Sequence, residues 1–377
     1  MNIKSKLIGT KEFYKRVIAI VLPMIIQNTI TNVVSLLDNV MVGRLGTLPM
    51  SAVAIVNQLI FVFNLCIFGG LAGAGIFSTQ YAGVNDHNGI RHCFRAKTII
   101  GIIVLIVSLI VFFAFPNPLI KMYLNEGTSP EDAALTLKYA LSYLKIMLIG
   151  LLPFTATMIY ASSLREIGET KLPMTASVVA IFINLTFNYL LIYGKFGFPK
   201  LGVIGAAATT VLSRFVEAAI VIIVATKRRS QYKFLKSAFR SLYVPLNLWI
   251  KIFKKGSPLL INEFLWAAGM AVLLQCYSVR GLEVVAALNI ANTVNNLFSV
   301  VFITMGNAVA IIVGQHLGAN QIEKAKDSVW QLISLAVAFC VVIGSVMAAF
   351  ANVIPHLYNT KSEVRLMATN FLYIIAL

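Results

Sequence analysis

The sequence predicts an all-α integral membrane protein with two six-helix lobes related by a parallel internal repeat. Of its 377 residues, 59% are hydrophobic and 12% are charged, a composition that soluble domains do not have. Several apolar runs exceed the roughly 18 residues that suffice to cross a bilayer. The two halves of the chain also match each other at a fixed offset, which is typical of a duplicated fold.

The apolar runs define ten predicted membrane spans. Basic residues precede the first span and no small-residue cleavage site follows it, so we interpret it as a retained helix and not as a signal peptide. The tenth span begins near Val364. The nine before it cover residues 17–42, 52–81, 98–115, 137–162, 174–193, 202–226, 252–278, 284–317 and 328–350.

The distribution of charge predicts the topology. The net charge is +17, but the basic residues lie in short loops and form no single patch, so a nucleic-acid partner is not expected. Alternate loops carry 21 Lys or Arg on one side and 8 on the other, and the richer side is cytoplasmic by the positive-inside rule. We therefore expect a multi-pass protein of the plasma membrane, in contact with the lipid bilayer, with a cytoplasmic N-terminus.

The internal repeat has an offset of 235 residues. Six spans in each half is an even number, so both halves enter from the same side and the repeat is parallel. We expect an N-lobe at 1–230, a cytoplasmic linker at 231–251 and an incomplete C-lobe at 252–377. Matched residues include Pro23 with Pro258, Gln80 with Gln315, Gly83 with Gly318, and Asn85 with Asn320.

The repeat also predicts that C-terminal helices are missing. Residue 377 corresponds to position 142 of the first half, early in its fourth helix. About four of the six C-lobe helices are therefore expected in this sequence. A genuine ten-helix protein is the alternative.

A polar stripe along the first span contains the carboxylate of Asp38. A charge at the bilayer centre costs at least about 2.5–3.5 kcal/mol, so it faces a cavity or a partner. A helix-packing seam is the alternative, but it accounts poorly for an ionisable group. At 100° per residue the stripe spans about 140° and contains Gln27, Asn28, Thr31, Asn32, Ser35, Asp38 and Asn39.

The other intramembrane polar groups are distributed unequally between the halves. Glu263 lies on the seventh span, and Glu217 follows Arg214 by three residues on the sixth, a spacing that favours a structural ion pair. On the eighth span, Asn289, Asn292, Asn295, Asn296 and Ser299 cover about 120° of helix surface. We expect the asparagines at 289, 292 and 296, with Gln27, Asn32 and Ser35, to line a polar cavity.

Motifs for other chemistries are absent from the sequence. It has no Walker A sequence, so transport would be driven by an ion gradient or by a separate subunit. The four cysteines form no CxxC pair that would indicate a zinc site or a disulfide framework. Neither an enzyme nor a bound cofactor is expected.

Three segments resemble the multidrug and toxic compound extrusion (MATE) transporters. They are PMIIQNTITNVVSLLDNVMVGRLG at 23–46, TKLPM at 170–174 and NYLLIYGKFGFPKLGVIGAAATTVLSR at 188–214. The resemblance implies twelve helices in two six-helix lobes, and a monomer that exports small organic cations such as drugs in exchange for Na⁺ or H⁺.

The resemblance also implies two cation sites. Asp38 matches the carboxylate central to the N-lobe site, where Na⁺ would bind, and Asn184, Asn188 and Thr210 match its partners, with Ala206 offering its carbonyl. Some members have Asp at the position of Asn188, so this site has one carboxylate fewer. Glu263 matches a C-lobe residue that binds a cation or the substrate.

Two other functions would require different residues in the membrane. A flippase or exporter of lipid-linked saccharide with the same two-lobe architecture would need a basic cavity, yet away from the span ends only Lys145 and Arg214 fall within the predicted spans. A membrane-embedded transferase would need clustered His, Asp or metal ligands, which the sequence lacks. Cation export is therefore the favoured function, and the flippase is the alternative.

Overall fold

The computed structural model describes residues 7–123, 129–278, 282–357 and 362–376. Within them the chain is helical and contains no β-strand, which confirms the all-α prediction. The helices are α1 (Lys11–Gly43), α2 (Thr47–Gly83), α3 (His87–Ala114), α4 (Pro116–Lys121), α5 (Pro130–Glu166), α6 (Lys171–Tyr193), α7 (Val203–Lys227), α8 (Leu246–Ser278), α9 (Leu282–Gly318), α10 (Ile322–Phe350) and α11 (Ser362–Ala376).

Eight helices of the described chain are long and apolar enough to cross a membrane. They are α1, α2, α3, α5, α6, α7, α9 from Ile290 onward, and α10. The multi-span prediction is therefore confirmed. Helices α8 and α11 are not among the eight, so the seventh and tenth predicted spans stay predictions.

Two helices extend well beyond their predicted spans. Helix α3 begins at His87, because the Asp86 carboxylate caps its first turn by accepting from the backbone N–H groups of Asn88 at 3.0 Å and Gly89 at 3.1 Å. The predicted span began at residue 98. Helix α5 continues to Glu166, beyond the predicted end at 162. Both extensions place charged residues inside helices.

Backbone conformation supports the internal repeat. Pro23 lies inside α1 and its repeat partner Pro258 lies inside α8. Asn85 follows α2 with φ 56°, and its partner Asn320 follows α9 with φ 55°. Asparagine is one of the few residues that adopt this left-handed conformation readily. The same strained position therefore recurs at a separation of 235 residues.

Packing divides the chain into two units, Ile30–Leu260 and Met1–Thr29 with Ile261–Leu377. In the first unit α5 packs against α2, α3 and α7, and α6 packs against α7. In the second unit α9 packs against α10 and α11. The start of α1 joins the second unit, where Ile20 and Met24 share a core with Met305 and Ile312. The lobe boundaries at 230 and 252 stay a prediction.

The predicted linker is an ordered segment of the first unit. It contains two short 3₁₀ turns, Lys233–Leu235 and Ala238–Arg240, and its last residues begin α8 at Leu246. Tyr232 and Phe234 are fully buried and join the large core formed by α2, α3, α5 and α7. The predicted linker therefore packs as part of the first unit.

Candidate functional site

The site is centred on Asp38 in α1 and two asparagines of α6. Asn184 and Asn188 are four residues apart and so project from the same face of α6. Their exposures are 6% and 1%, so the two amides are buried and must find polar partners inside the protein. Asn188 Nδ2 donates to Asp38 Oδ1 at 2.7 Å and lies 3.1 Å from Asn184 Oδ1. The structure thus brings three of the four predicted N-lobe residues together.

The amide of Asn184 can face Asp38 with either of its terminal atoms. The terminal atom that faces Asp38 lies 3.1 Å from both carboxylate oxygens. With nitrogen at that position, Asn184 donates to the carboxylate. With oxygen there, carboxylate and amide oxygens converge on one point, which suits a bound cation or a proton held on Asp38. Asn188 Oδ1 is buried and accepts no hydrogen bond within the described chain; since Nδ2 is the end that faces Asp38, this oxygen would join the site only after the amide turns over.

Helix α1 is held against α6 at a second point. The hydroxyl of Tyr193 donates to the backbone carbonyl of Met41 at 3.0 Å, one turn beyond the Asp38–Asn188 contact. Thr210, the fourth predicted residue, lies half-buried on α7. Its hydroxyl donates to the carbonyl of Ala206 at 2.9 Å, so its hydrogen bond in the structure is within its own helix.

Asp38 and Glu217 have different surroundings. No ion pair to Asp38 is found within the described residues, and its side-chain partners there are amides. Glu217 accepts a hydrogen bond from Ser177 and lies close enough to Arg165 and Arg214 to be attracted by both. Asp38, a half-buried carboxylate, therefore has only neutral partners within the described residues, whereas two arginines attract Glu217.

The expected ion pair between Arg214 and Glu217 is not a direct contact. The guanidinium of Arg214 lies over the ring of Phe154, 5.1 Å from its centroid, and donates to the carbonyl of Gly150 at 3.5 Å. A cation over an aromatic face is stabilised without a carboxylate partner. Their spacing of three residues predicted a direct ion pair, but Arg214 and Glu217 interact across a longer distance.

The sequence reasoning missed a buried ion pair between α3 and α5. Lys97 Nζ lies 2.5 Å from Glu166 Oε1, with side-chain exposures of 0% and 13%. The ammonium also donates to Ser162 Oγ at 3.1 Å and to Ser163 Oγ at 3.4 Å. Hydropathy had placed Lys97 in a loop. The signal that could have found it was Asp86, a helix-capping residue eleven positions upstream.

The remaining predicted site residues lie on α1, α8 and α9. Glu263 is half-buried on α8, and no hydrogen bond or ion pair to it is found within the described chain. Gln27, Asn32 and Asn292 are half-buried, Ser35 and Asn296 are exposed, and the side chain of Asn289 lies outside the described part of the structure. Their lining of a cavity stays a prediction.

Comparisons with known proteins identify the family. The MatE family model matches residues 23–190 and 258–377. A probable multidrug resistance protein NorM from Thermotoga maritima is 25% identical over 356 residues, which covers 94% of this chain and 74% of the relative. Another from Geobacillus kaustophilus is 26% identical over 364 residues, 95% of this chain and 77% of the relative.

Solved structures agree with the fold. The crystal structure of a MATE transporter in the straight conformation matches with a TM-score of 0.84 at 19% identity, covering 98% of this chain and 79% of that one. The family match extends over most of the chain and falls in two separate segments that follow the internal repeat. The chain therefore belongs to the MatE family of multidrug and toxic compound extrusion transporters, which are membrane proteins with several transmembrane helices.

Proposed function

We propose that the chain is a secondary active antiporter that exports organic cations in exchange for Na⁺ or H⁺, and that Asp38 carries the coupling ion. The observation that supports this is a half-buried carboxylate in a membrane helix whose described partners are two amides. An uncompensated charge inside a membrane is expensive, and the described partners of Asp38 are neutral. A proton or a metal cation from solution would supply the missing positive charge.

The two asparagines allow the site to hold Asp38 in either charge state. When Asp38 is ionised, Asn188 and Asn184 both donate to it. When a cation or proton is bound, Asn184 turns its oxygen inward, and Asn188 Oδ1 becomes a further ligand after its amide turns over. Carboxylate and amide oxygens are hard ligands, the type that Na⁺ favours. Ion uptake would neutralise Asp38, and the surrounding amides would then form different hydrogen bonds. This change would bias the conformational equilibrium of the transporter.

The driving force is adequate for export of a cation. One elementary charge that moves through 100 mV gains about 2.3 kcal/mol. Since each 1.4 kcal/mol is a factor of ten, this supports a substrate gradient of roughly fiftyfold per net charge. Relatives named as multidrug resistance proteins support small organic compounds as the substrate class.

Transport of a fluorescent organic cation into proteoliposomes tests the proposal. The full chain is reconstituted, and a Na⁺ gradient or a pH gradient is imposed separately. We expect one gradient to drive uptake and Asp38→Asn to abolish it. The matched control is Asp132→Asn, which makes the same change in the first turn of α5 and should leave transport unaltered. Wild-type transport by Asp38→Asn would refute the assignment of Asp38.

A second variant tests the charge state of the site. Asn188→Asp would place two carboxylates about as close as the 2.7 Å that now separates Asn188 Nδ2 from Asp38, and two like charges so close cannot both stay ionised without a cation. We expect the thermal stability of this variant to rise on addition of Na⁺ or on acidification more than that of the parent. If the thermal stability of the variant responded to Na⁺ and to acid no more than that of the parent, the cluster would not sense cations.

The lipid-linked saccharide flippase is an outcome of the same assay. The structure adds Lys97 to the cations buried inside the first unit, but Lys97 is already neutralised by Glu166. Arg214 likewise has Phe154 and Gly150 as partners. If neither gradient moved the dye and the folded protein translocated a lipid-linked saccharide, cation export would be wrong.

A further inference from the structure

The region around the start of α8 carries an excess of positive charge. No Asp or Glu occurs between Glu217 and Glu263, and no ion pair to a basic residue of this stretch is found in the described chain. All nine of its basic side chains are exposed. They are Lys227, Arg228, Arg229, Lys233, Lys236, Arg240, Lys251, Lys254 and Lys255.

Arginines of α3 hold this region in a fixed position. Arg95 donates to the backbone carbonyls of Ala238 at 2.8 Å, Ser237 at 3.2 Å and Tyr243 at 3.2 Å. Arg91 donates to the carbonyl of Phe234 at 3.2 Å. These bonds give backbone carbonyls of the segment side-chain partners inside the protein. The basic side chains are therefore presented from an ordered backbone.

The first turns of α8 present three separate faces. At 100° per residue, Leu248 and Ile252 share one side, and both are buried against α2 and α3. Leu246, Ile250 and Phe253 fall within an arc of about 60° on another side, and their exposures are 71%, 56% and 62%.

The third face is basic and lies between the other two. Lys254, Lys251 and Lys255 fall within an arc of about 100° that separates the apolar stripe from the buried side; we call these lysines the α8 basic face. An exposed apolar stripe beside a basic stripe is the pattern of a helix in the membrane interface. Trp249 flanks the stripe, and such aromatic residues are enriched at that level of the bilayer.

We propose that the α8 basic face binds the phosphate group of an anionic phospholipid whose acyl chains pack on Leu246 and Ile250. The ligand is negatively charged and the lysines are positively charged. The apolar stripe belongs to a chain that spans the membrane, where lipid acyl chains are available to cover it. Long lysine side chains can extend to the headgroup level while their aliphatic parts stay on the apolar surface. A soluble anion would bind the lysines but would leave the apolar stripe uncovered.

Trp249 provides a local reporter of bound lipid. It stacks on Phe253 with ring centroids 5.5 Å apart, next to the apolar stripe. The chain has 3 tryptophans, and the other two, Trp266 and Trp330, are exposed and can be replaced with phenylalanine. The single-tryptophan protein is reconstituted in phosphatidylcholine vesicles with increasing fractions of brominated phosphatidylglycerol, and quenching of Trp249 gives the relative binding constant of the two lipids.

We expect phosphatidylglycerol to bind near Trp249 at least about fivefold more tightly than phosphatidylcholine. This is the factor in binding that one lysine contributes near an anionic surface. Lys251→Gln/Lys254→Gln should reduce this preference to near one, and Lys251→Arg/Lys254→Arg should retain it. The matched control is Lys324→Gln/Lys326→Gln, which removes two exposed lysines from the start of α10 and should leave the preference intact. The arginine variant also shows whether substitution at these positions permits folding.

Three results would overturn the proposal. One is equal quenching by brominated phosphatidylcholine and phosphatidylglycerol in the parent protein. Another is an undiminished preference in the glutamine variant. The third is protection of Trp249 by millimolar glycerol phosphate, since that would show a site for soluble anions.

Discussion

Replacement of Lys97 by methionine should destabilise the protein by about 3–5 kcal/mol, the usual cost of removing one partner from a buried ion pair. The side chain of Lys97 is fully buried, its ammonium lies 2.5 Å from Glu166, and it donates to two serine hydroxyls. Methionine has a similar volume, so little of the loss should come from a cavity. The loss arises because Glu166, only 13% exposed, must keep its charge without the lysine that neutralises it.

The free energy of unfolding in mixed micelles, followed by circular dichroism during a denaturant titration, measures this loss. The matched control is Lys326→Met. Lys326 and Glu323 also form an ion pair, at 2.9 Å, but their side-chain exposures are 64% and 78%. Exposed pairs contribute about 0–1 kcal/mol, so the control should change stability by no more than that.

The double variant Lys97→Met/Glu166→Met separates loss of the pair from damage to the fold. Buried ion pairs can often be replaced by apolar residues of similar size at little cost, so the double variant should recover most of the stability. Equal losses in Lys97→Met and Lys326→Met would refute the reasoning that burial makes the pair strong. A double variant as unstable as Lys97→Met would show that the lysine acts through packing.

Two further predictions concern backbone positions. Gly73→Ala should lower the free energy of unfolding by about 1–3 kcal/mol through overpacking, since its new Cβ would lie 2.7 Å from the Cα of Gly256. The control is Gly306→Ala, whose Cβ would have nothing within 4 Å. It should be neutral or stabilising in the same unfolding titration. Asn85→Ala and Asn320→Ala should each cost about 1–2 kcal/mol in thermal or chemical unfolding, because both asparagines have positive φ. Clearly unequal losses at the two asparagines would count against equivalent roles in the repeat.

The membrane spans could be predicted from the sequence because their signals are local, and the repeat could be predicted because it recurs at a fixed offset. Long apolar runs marked the spans, and asparagines 235 residues apart marked the repeat. Helix ends were harder to predict, since a helix continues past the bilayer wherever its polar residues find partners. Arg95 illustrates this, because its guanidinium binds carbonyls more than 140 residues further along the chain. No local sequence pattern predicts such partners.

The candidate site was predicted only in part by residue patterns. Asp38 was found because a carboxylate in an apolar span is costly. Asn184 and Asn188 were identified through resemblance alone, since two asparagines in an apolar helix are equally consistent with a packing seam. Lys97 and Glu166 were missed because hydropathy treats a charged residue at the end of an apolar run as the beginning of a loop. Burial and pairing depend on which helix lies opposite, and that is a property of tertiary structure.

The partners of three half-buried carboxylates bear on the proposal that Asp38 carries the coupling ion. Lys97 neutralises Glu166 with a permanent donor, and two arginines attract Glu217. A lysine or arginine side chain has no acceptor, so these surroundings stabilise one charge state. Amides can donate or accept, so the surroundings of Asp38 tolerate both states with a small rearrangement. If the proposed function is right, the carboxylate that exchanges ions during a transport cycle needs partners that are neutral and reversible, and the described partners of Asp38 are of this kind.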